Sequence, residues 1–379
     1  MPDRPRPDNE RTQLMPRRDV GGELPVGHRL QEFVIEGLIG VGGFSIVYRA
    51  RDTLLDRTVA LKEYIPASLA LRGANHMVQA RSPRHLAHFQ LGARSFINEA
   101  RLLASFDHPA LVKVYRFWPE NGTAYLVMPL YEGATLKKWL ANLGTAPSEA
   151  WLRHLAEQLT EALATLHGQR IFHRDVAPDN ILLQFDRSGG TFLEQKPRPV
   201  LLDFGAARRV ISDATQNLTA ILKSGYSPAE QYEGAESRRQ GAWTDVYALS
   251  AVLYTAIAGH APPSSVARVV KDRMVPARQL GAGRYSPAFL AAIDAGLAVR
   301  PQDRPQSMAA FRATFDATPP LHFPAARPRG AVAATGAGTA PDPRAGVGIP
   351  RRTVTVVACV VGAVILAIAL AAALAWWRG

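Results

Sequence analysis

The chain is predicted to be an α+β protein of two lobes, a small β-rich one followed by a larger helical one, with a membrane-spanning helix at its C-terminus. Three observations carry this reading. Between Gln31 and Met128, short β-like runs dominate. From Thr135 onward, apolar residues recur with helical period. From Thr353 to Trp377, 25 residues pass without one charge.

Residues 1–28 are rich in Arg, Pro and Asp and lack the apolar stretch of a secretory signal, so they read as a disordered arm. A globular region is expected over 29–317. Its first lobe, about 29–130, should hold strands over Glu32–Leu38, Ser45–Arg51, Thr58–Tyr64, Leu111–Trp118 and Thr123–Met128. Asn121-Gly122 between the last two is a hairpin signal. One helix, Ser95–Phe106, interrupts the strands. Ahead of it, the stretch from Tyr64 to Gly92 carries Arg72, Arg81, Arg84, His76, His85 and His88. Metal binding is one reading of it. A solvated insertion is favoured, because no compact His/Cys ligand set appears.

The second lobe, about 131–317, begins its helical pattern with Trp151, Leu152, Leu155, Leu159, Leu163 and Leu166 on one face. Residues 318–352, rich in Pro, Ala, Gly and Arg without periodicity, read as a linker. Residues 353–377 would span ~37 Å as a helix, enough for a ~30 Å hydrocarbon core with tilt. Arg351 and Arg352 flank one end; Trp376, Trp377 and Arg378 flank the other, where tryptophan suits the headgroup boundary. Five linker arginines against one aspartate, Asp342, place the globular part on the cytoplasmic side. Only Arg378 and Gly379 follow the helix, so a tail anchor in a bacterial inner membrane is expected. Ala363, Ala367 and Ala371 form a small-residue row that permits close helix packing and a homodimer. A merely alanine-rich span is the favoured reading of that row.

Composition narrows the function. The 379 residues are 47% hydrophobic and 20% charged, which excludes wholesale disorder. The net charge of +12 invites a nucleic-acid partner. However, seven of the 44 basic residues are lysines, the arginines are scattered, and no zinc-finger or basic-helix motif accompanies them. No nucleic-acid partner is therefore expected. The single cysteine, Cys359, excludes an internal disulfide and a Cys-based zinc cluster, and fits a reducing compartment.

Three stretches carry chemistry. In Ile39-Gly40-Val41-Gly42-Gly43-Phe44-Ser45-Ile46-Val47, two strands flank a glycine turn. Without Cβ atoms the backbone can approach a phosphate chain and offer its N–H groups; a plain glycine hairpin is the alternative. A strand rather than a helix follows, so this is no dinucleotide fingerprint. Val47 could cover an adenine face. In Val59-Ala60-Leu61-Lys62, a lysine emerges from an apolar strand, and a buried ammonium needs a partner. Glu99, one turn after Phe96, is the candidate; the alternative is a snorkelling Lys62 and a surface Glu99. The third stretch runs Ile171-Phe172-His173-Arg174-Asp175-Val176-Ala177-Pro178-Asp179-Asn180-Ile181-Leu182, with Leu201-Leu202-Asp203-Phe204-Gly205 further on.

At these motifs the sequence resembles the eukaryotic-like protein kinases, in the bacterial membrane-anchored Ser/Thr branch, over nearly all of Leu30–Ala317. The resemblance implies a bilobal kinase-like fold and transfer of the ATP γ-phosphate, with Mg²⁺, to Ser/Thr hydroxyls of protein substrates, the chain itself included. It implies that Asp175 receives or orients the substrate hydroxyl proton, that Asn180 and Asp203 hold Mg²⁺, and that Lys62 paired with Glu99 binds the α and β phosphates. Ile39, Gly40, Gly42, Gly43, Val47, Ala60 and Leu182 would surround the nucleotide. In the hinge Tyr125–Tyr131, Met128 would back the adenine pocket, while the Pro129 carbonyl and Tyr131 N–H could bond the base. Phe204 and His173 would stack with Leu103 and Val114. Glu230 in Ser227-Pro228-Ala229-Glu230 would pair with Arg304, and Asp245 would brace the catalytic loop.

Two departures matter. Ser45 replaces a third glycine, which is tolerable. Ala177 stands where Ser/Thr kinases of the family carry a lysine, and Asp179 stands where tyrosine kinases carry an arginine, so one cation is missing at the reacting centre. Loss of one charge-stabilising group can cost ~10²–10³ in rate. Lys223 in Leu222-Lys223-Ser224-Gly225-Tyr226 is the candidate substitute, against the reading of a surface lysine. A pseudokinase, binding nucleotide without turnover, is the alternative function; a small-molecule phosphotransferase fits less well, given Glu230 and Arg304. Arg174 beside Asp175 suggests control by phosphorylation at Ser212, Thr215, Thr219 or Ser224, against the reading of ordinary loop hydroxyls.

Overall fold

A computed structural model describes residues 22–185, 196–203, 222–232 and 240–316. The expected linker and membrane span, nearly all of the N-terminal arm, and Phe204, Gly205, Ser212, Thr215 and Thr219 lie outside the described residues. Among the described residues, no helix is long and apolar enough to cross a membrane.

The first lobe is an antiparallel sheet in the order β1-β2-β3-β4-β8-β7. Its strands are β1 (Arg29–Leu30), β2 (Phe33–Val41), β3 (Ser45–Asp52), β4 (Arg57–Tyr64), β7 (Arg116–Glu120) and β8 (Thr123–Pro129). A hairpin of β5 (Ala70–Arg72) and β6 (Val78–Ala80) stands beside it, followed by α1 (Pro83–Leu103). β4 is buried along most of its length because α1 covers one face; Tyr64 stacks on Phe89 of that helix at 5.6 Å. Asn121-Gly122 makes the β7–β8 turn, both with positive φ (52° and 73°), as the hairpin signal required.

Three expectations are corrected here. The helix begins at Pro83, not Ser95, and ends at Leu103, not Phe106. Proline occupies its first turn, where a missing N–H costs nothing, and burial at Phe89, Gly92 and Phe96 continues the apolar face backward. Leu111–Tyr115 is not part of a strand; Leu111 makes a parallel bridge with Leu201, and the Lys113 N–H goes to the Tyr131 hydroxyl instead of a strand neighbour. The insertion is not simply solvated. Arg72 is buried against the fully buried Glu63 carboxylate and also donates to the carbonyls of Gly22 and His76, each at 2.7 Å. Tyr48 adds a hydroxyl bond to the same carboxylate at 3.0 Å. This one side chain therefore ties the hairpin and the entering chain to β4. His76 and His85 instead meet His28 and Ser82, and no metal-holding cluster occurs among the described residues.

The second lobe opens with β9 (Ala134–Thr135), α2 (Leu136–Leu143) and α3 (Glu149–Gly168). The side-chain oxygens of Thr135 and Ser148 cap the two helices, each accepting a backbone N–H at 3.3 Å. β10 (Ile181–Gln184) and β11 (Arg198–Leu201) join β9 in a small sheet. Then come α4 (Ala242–Ala258), α5 (Ser265–Val270), α6 (Ala277–Leu280), α7 (Pro287–Gly296) and α8 (Met308–Asp316). The apolar face predicted on α3 is buried at each named position and packs in one core with α4, α7 and α8. Trp139 of α2 stacks flat on Trp151 of α3, with centroids 4.2 Å apart. Met128 and Val114 touch the cores of both lobes, so the lobes meet where β8 runs into the second one.

Candidate functional site

Two short strand ends place the acidic groups. β10 and β11 pair in register, Ile181 with Leu201, and the Leu202 N–H donates to the Asn180 carbonyl at 2.8 Å. Asn180 and Asp203 therefore emerge side by side from the sheet. Asp203 has φ 37° and Arg174 φ 66°, a region side chains seldom adopt. Such strained residues persist only where their surroundings fix them. For Arg174 the cause is visible. Its N–H donates to Asp245 Oδ1 at 2.7 Å, and its carbonyl accepts from Gln231 Nε2 at 2.8 Å.

Asp245, fully buried on α4, braces the catalytic loop as expected. Its Oδ2 accepts the His173 N–H at 2.8 Å and His167 Nε2 at 2.8 Å. Burial alone would raise its carboxyl. The hydrogen bond and charge of His167, with the Arg174 N–H, outweigh that and hold it below the usual range. His173 is buried too. The Asp175 N–H donates to its Nδ1 at 3.3 Å, which puts the ring proton on Nε2, facing the Leu202 carbonyl at 3.1 Å. Desolvation drives its imidazole below the ordinary value, against the pull of Asp245 and Asp175, so it is neutral near pH 7. That neutral ring links the Asp175 backbone to the residue before Asp203.

The Asp175 carboxylate faces this junction. Asn180 Nδ2 donates to its Oδ2 at 2.7 Å and to its carbonyl at 2.8 Å. Lys223 Nζ lies 3.3 Å from its Oδ1 and 2.7 Å from Asp179 Oδ1. From the other lobe, Lys62 reaches across the cleft to Asp203 Oδ1 at 2.5 Å. β4 aims it there; Lys62 is in register with Val47 of β3 and Leu126 of β8. The cleft thus brings Lys62, Asp175, Asn180 and Asp203 together.

Glu99 is buried on α1, but among the described residues the ion pair of Lys62 is with Asp203. α1 also presents the Phe96 ring to the ammonium, at 5.8 Å from its centroid.

The glycine turn takes the expected form. β2 and β3 pair as far as Val41 with Ile46, Gly40 faces Val47, and the Gly42 N–H closes on the Ser45 carbonyl at 2.8 Å. A Cβ at Gly40 or Gly43 would meet nothing within 4 Å, so a ligand can approach the backbone there. Ile39 is exposed by 48%, while Ala60 is buried and in register with Met128 of the hinge. Pro129 is opposite Val59. The Tyr131 hydroxyl accepts the Lys113 N–H at 3.0 Å, fixing the hinge exit. Gly133 has φ 154°, and a Cβ there would come 2.1 Å from the Leu183 carbonyl, so only glycine lets the hinge pass Leu182 and Leu183 of β10.

Glu230 and Arg304 form the expected buried pair at 2.7 Å, completed by Thr244 Oγ1 on Glu230 and by Arg304 bonds to the carbonyls of Ala298 and Val299. Sequence reasoning missed Asp179 as a partner of Lys223, Gln231 as the brace of Arg174, and the Glu63–Arg72 pair. None has a motif to announce it, because each partner is brought close only by the fold.

The protein kinase domain family matches residues 33–315. Among curated relatives, the serine/threonine-protein kinase pkn3 of Myxococcus xanthus is 29% identical over 76% of this chain and 50% of its own length. The serine/threonine-protein kinase PrkC of Bacillus subtilis is 32% identical over 62% of this chain and 32% of its own length. PknL of Mycobacterium bovis is 30% identical over 75% and 65%. The match thus spans between about a third and two thirds of these relatives. Among solved structures, the apo form of PpkA-294 is 45% identical, with a TM-score of 0.70 over 77% of this chain and 99% of that one. The PknI kinase domain of Mycobacterium tuberculosis, 20% identical with a TM-score of 0.53 over 78% and 99%, shares the fold. With two lobes, a glycine turn and a cleft where Lys62 meets Asp203, the chain belongs to the protein kinase family and is of the bacterial Ser/Thr type.

Proposed function

We propose that the chain transfers the γ-phosphoryl group of ATP to Ser/Thr hydroxyls of protein substrates, itself among them. The observation that carries this reading is the meeting of Lys62 with Asp203 beside the Asp175–Asn180 pair, residues far apart in the chain. In the reaction, the acceptor hydroxyl oxygen bonds to the γ-phosphorus. The bond to the β–γ bridging oxygen breaks, its electron pair leaves with ADP, and the hydroxyl proton passes to the Asp175 carboxylate. Asn180 orients that carboxylate through its amide. Lys62 sits where it can neutralise the nucleotide phosphates.

Asp203 and Asn180 would hold Mg²⁺. Their donors are hard oxygens at neighbouring strand ends, and the Asn180 amide nitrogen already serves Asp175, leaving its oxygen for a cation. Bound Mg²⁺ supplies neutralisation of the phosphate charge. The base would sit between Ile39, Val47, Ala60, Met128 and Leu182, bonded by the Pro129 carbonyl and the Tyr131 N–H. The full-length chain incubated with γ-labelled ATP and a Ser/Thr peptide library should yield phosphoserine or phosphothreonine, and Asp175→Asn should not. A pseudokinase reading draws on Ala177; it requires nucleotide binding without label transfer in the wild type.

Membrane anchoring through residues 353–377, with the kinase domain cytoplasmic, is supported by the uncharged stretch and its flanks. The full chain should stay with bacterial inner membranes through an alkaline wash, and removal of residues 353–379 should release it. A homodimer through the alanine row would be lost when those alanines become leucine.

A further inference from the structure

We propose that Lys223 is the catalytic cation of the transfer site, delivered by the segment that leads to Tyr226 in place of the catalytic loop, and that Asp179 positions it. This rests on the kinase reading above. Ala177 is fully buried and offers no charge. The Lys223 ammonium stands 3.3 Å from Asp175 Oδ1, the oxygen other than the one Asn180 bonds, and 2.7 Å from Asp179 Oδ1. Its side chain is only 17% exposed, whereas loop lysines are mostly solvated.

The backbone fixes that placement. The Lys223 carbonyl accepts the N–H groups of Tyr226 and Ser227, both at 3.0 Å. Gly225, at φ 87°, makes the turn, and a Cβ there would come 2.6 Å from the Pro262 carbonyl. The Tyr226 hydroxyl is tied to Thr255 Oγ1 at 3.1 Å. Further on, the Glu230–Arg304 pair clamps the segment to the lobe.

Charge balance supplies the motive. Asp175, Asp179 and Asp203 crowd a place that must receive a triphosphate. Lys62 answers Asp203; on the other side, Lys223 answers Asp175 and Asp179. Lys223 and Asp179 also line a groove of about 800 Å³ with Lys137 and Thr145, where an acceptor polypeptide can lie. Lys223 is therefore placed to contact the γ-phosphoryl oxygens as the acceptor hydroxyl attacks, while Asp175 takes its proton. Because the segment carries the cation, the site is complete only when that segment is seated.

The test uses the full-length chain, γ-labelled ATP with Mg²⁺, and the peptide library. Lys223→Ala should lower kcat ~10²–10³-fold with little change in the KM for ATP, the mark of a transition-state contact. Adding Ala177→Lys to that variant should restore at least a tenth of the lost rate, roughly the reach of one relocated charge. If the doubly altered chain does not fold, Lys223→Arg and Asp179→Asn decide. The arginine should keep most of the rate, and the asparagine should lower kcat while leaving thermal stability and the KM for ATP in place. An unchanged rate in Lys223→Ala overturns the proposal alone. A faster rate also overturns it, making the lysine a plug on Asp175. A wild type that binds ATP but transfers nothing overturns the kinase reading and this proposal together.

Discussion

Asp245 contributes without facing the cleft. Its two oxygens take the N–H groups of His173 and Arg174 and so hold Arg174 in its unusual conformation. Asp245→Asn puts an NH₂ group against a backbone donor, leaving a buried group unsatisfied at a cost of ~1–3 kcal/mol. Urea unfolding should show that loss, and transfer should slow because Asp175 follows Arg174. Arg304→Ala leaves the Glu230 carboxylate buried without its partner. The expected loss is ~3–5 kcal/mol, measured in the same way. His173 carries a pH effect. Its folded imidazole lies below the unfolded value, so the unfolded chain binds the proton first as pH falls. Stability from this group is complete above about pH 6.5 and declines below it toward the folded value. Thermal midpoints should fall with pH through that window, and less steeply in His173→Phe.

At the scale of elements, the sequence made β2, β3, β4, β8 and the α3 face legible because their periods are regular and their turns chemically marked. Asn121-Gly122 is a case where the backbone conformation dictates the residue. The front half of α1 was not legible. Its Arg and His residues dilute the apolar face in the sequence, and glycine at 92, though buried in the fold, is a poor helix former. The insertion was misread for a related reason: Arg72 looks like a solvated charge until Glu63, on β4, is folded beside it. That pair predicts an outcome. Arg72→Ala should destabilise the first lobe by ~3–5 kcal/mol because the Glu63 carboxylate loses its buried cation, whereas exchanging Arg81, whose side chain bonds the Ala67 carbonyl on the surface, should change stability by under ~0.5 kcal/mol. Differential scanning fluorimetry of both variants checks this. In the site, Asp175, Asn180 and Asp203 were legible through the family resemblance of the motifs that carry them. The ion pair of Lys62 with Asp203 was not, because only the fold brings those two residues together.

At the scale of the whole molecule, function depends on two lobes with separate cores facing one cleft. The first lobe supplies one cation, Lys62, and the second supplies the carboxylates, the amide and Lys223. Neither set can act alone, so the central claim concerns their convergence on one nucleotide. The most direct measurement is a calorimetric titration of ATP with and without Mg²⁺, set beside single-turnover transfer, for wild type, Lys62→Met, Asp203→Asn and Asp175→Asn. Lys62→Met should weaken ATP binding, and Asp203→Asn should abolish its dependence on Mg²⁺. Asp175→Asn should bind like the wild type yet transfer ~10²–10⁴-fold more slowly. Wild-type transfer by Asp175→Asn, or Mg²⁺-dependent binding unaffected in Asp203→Asn, would contradict the account.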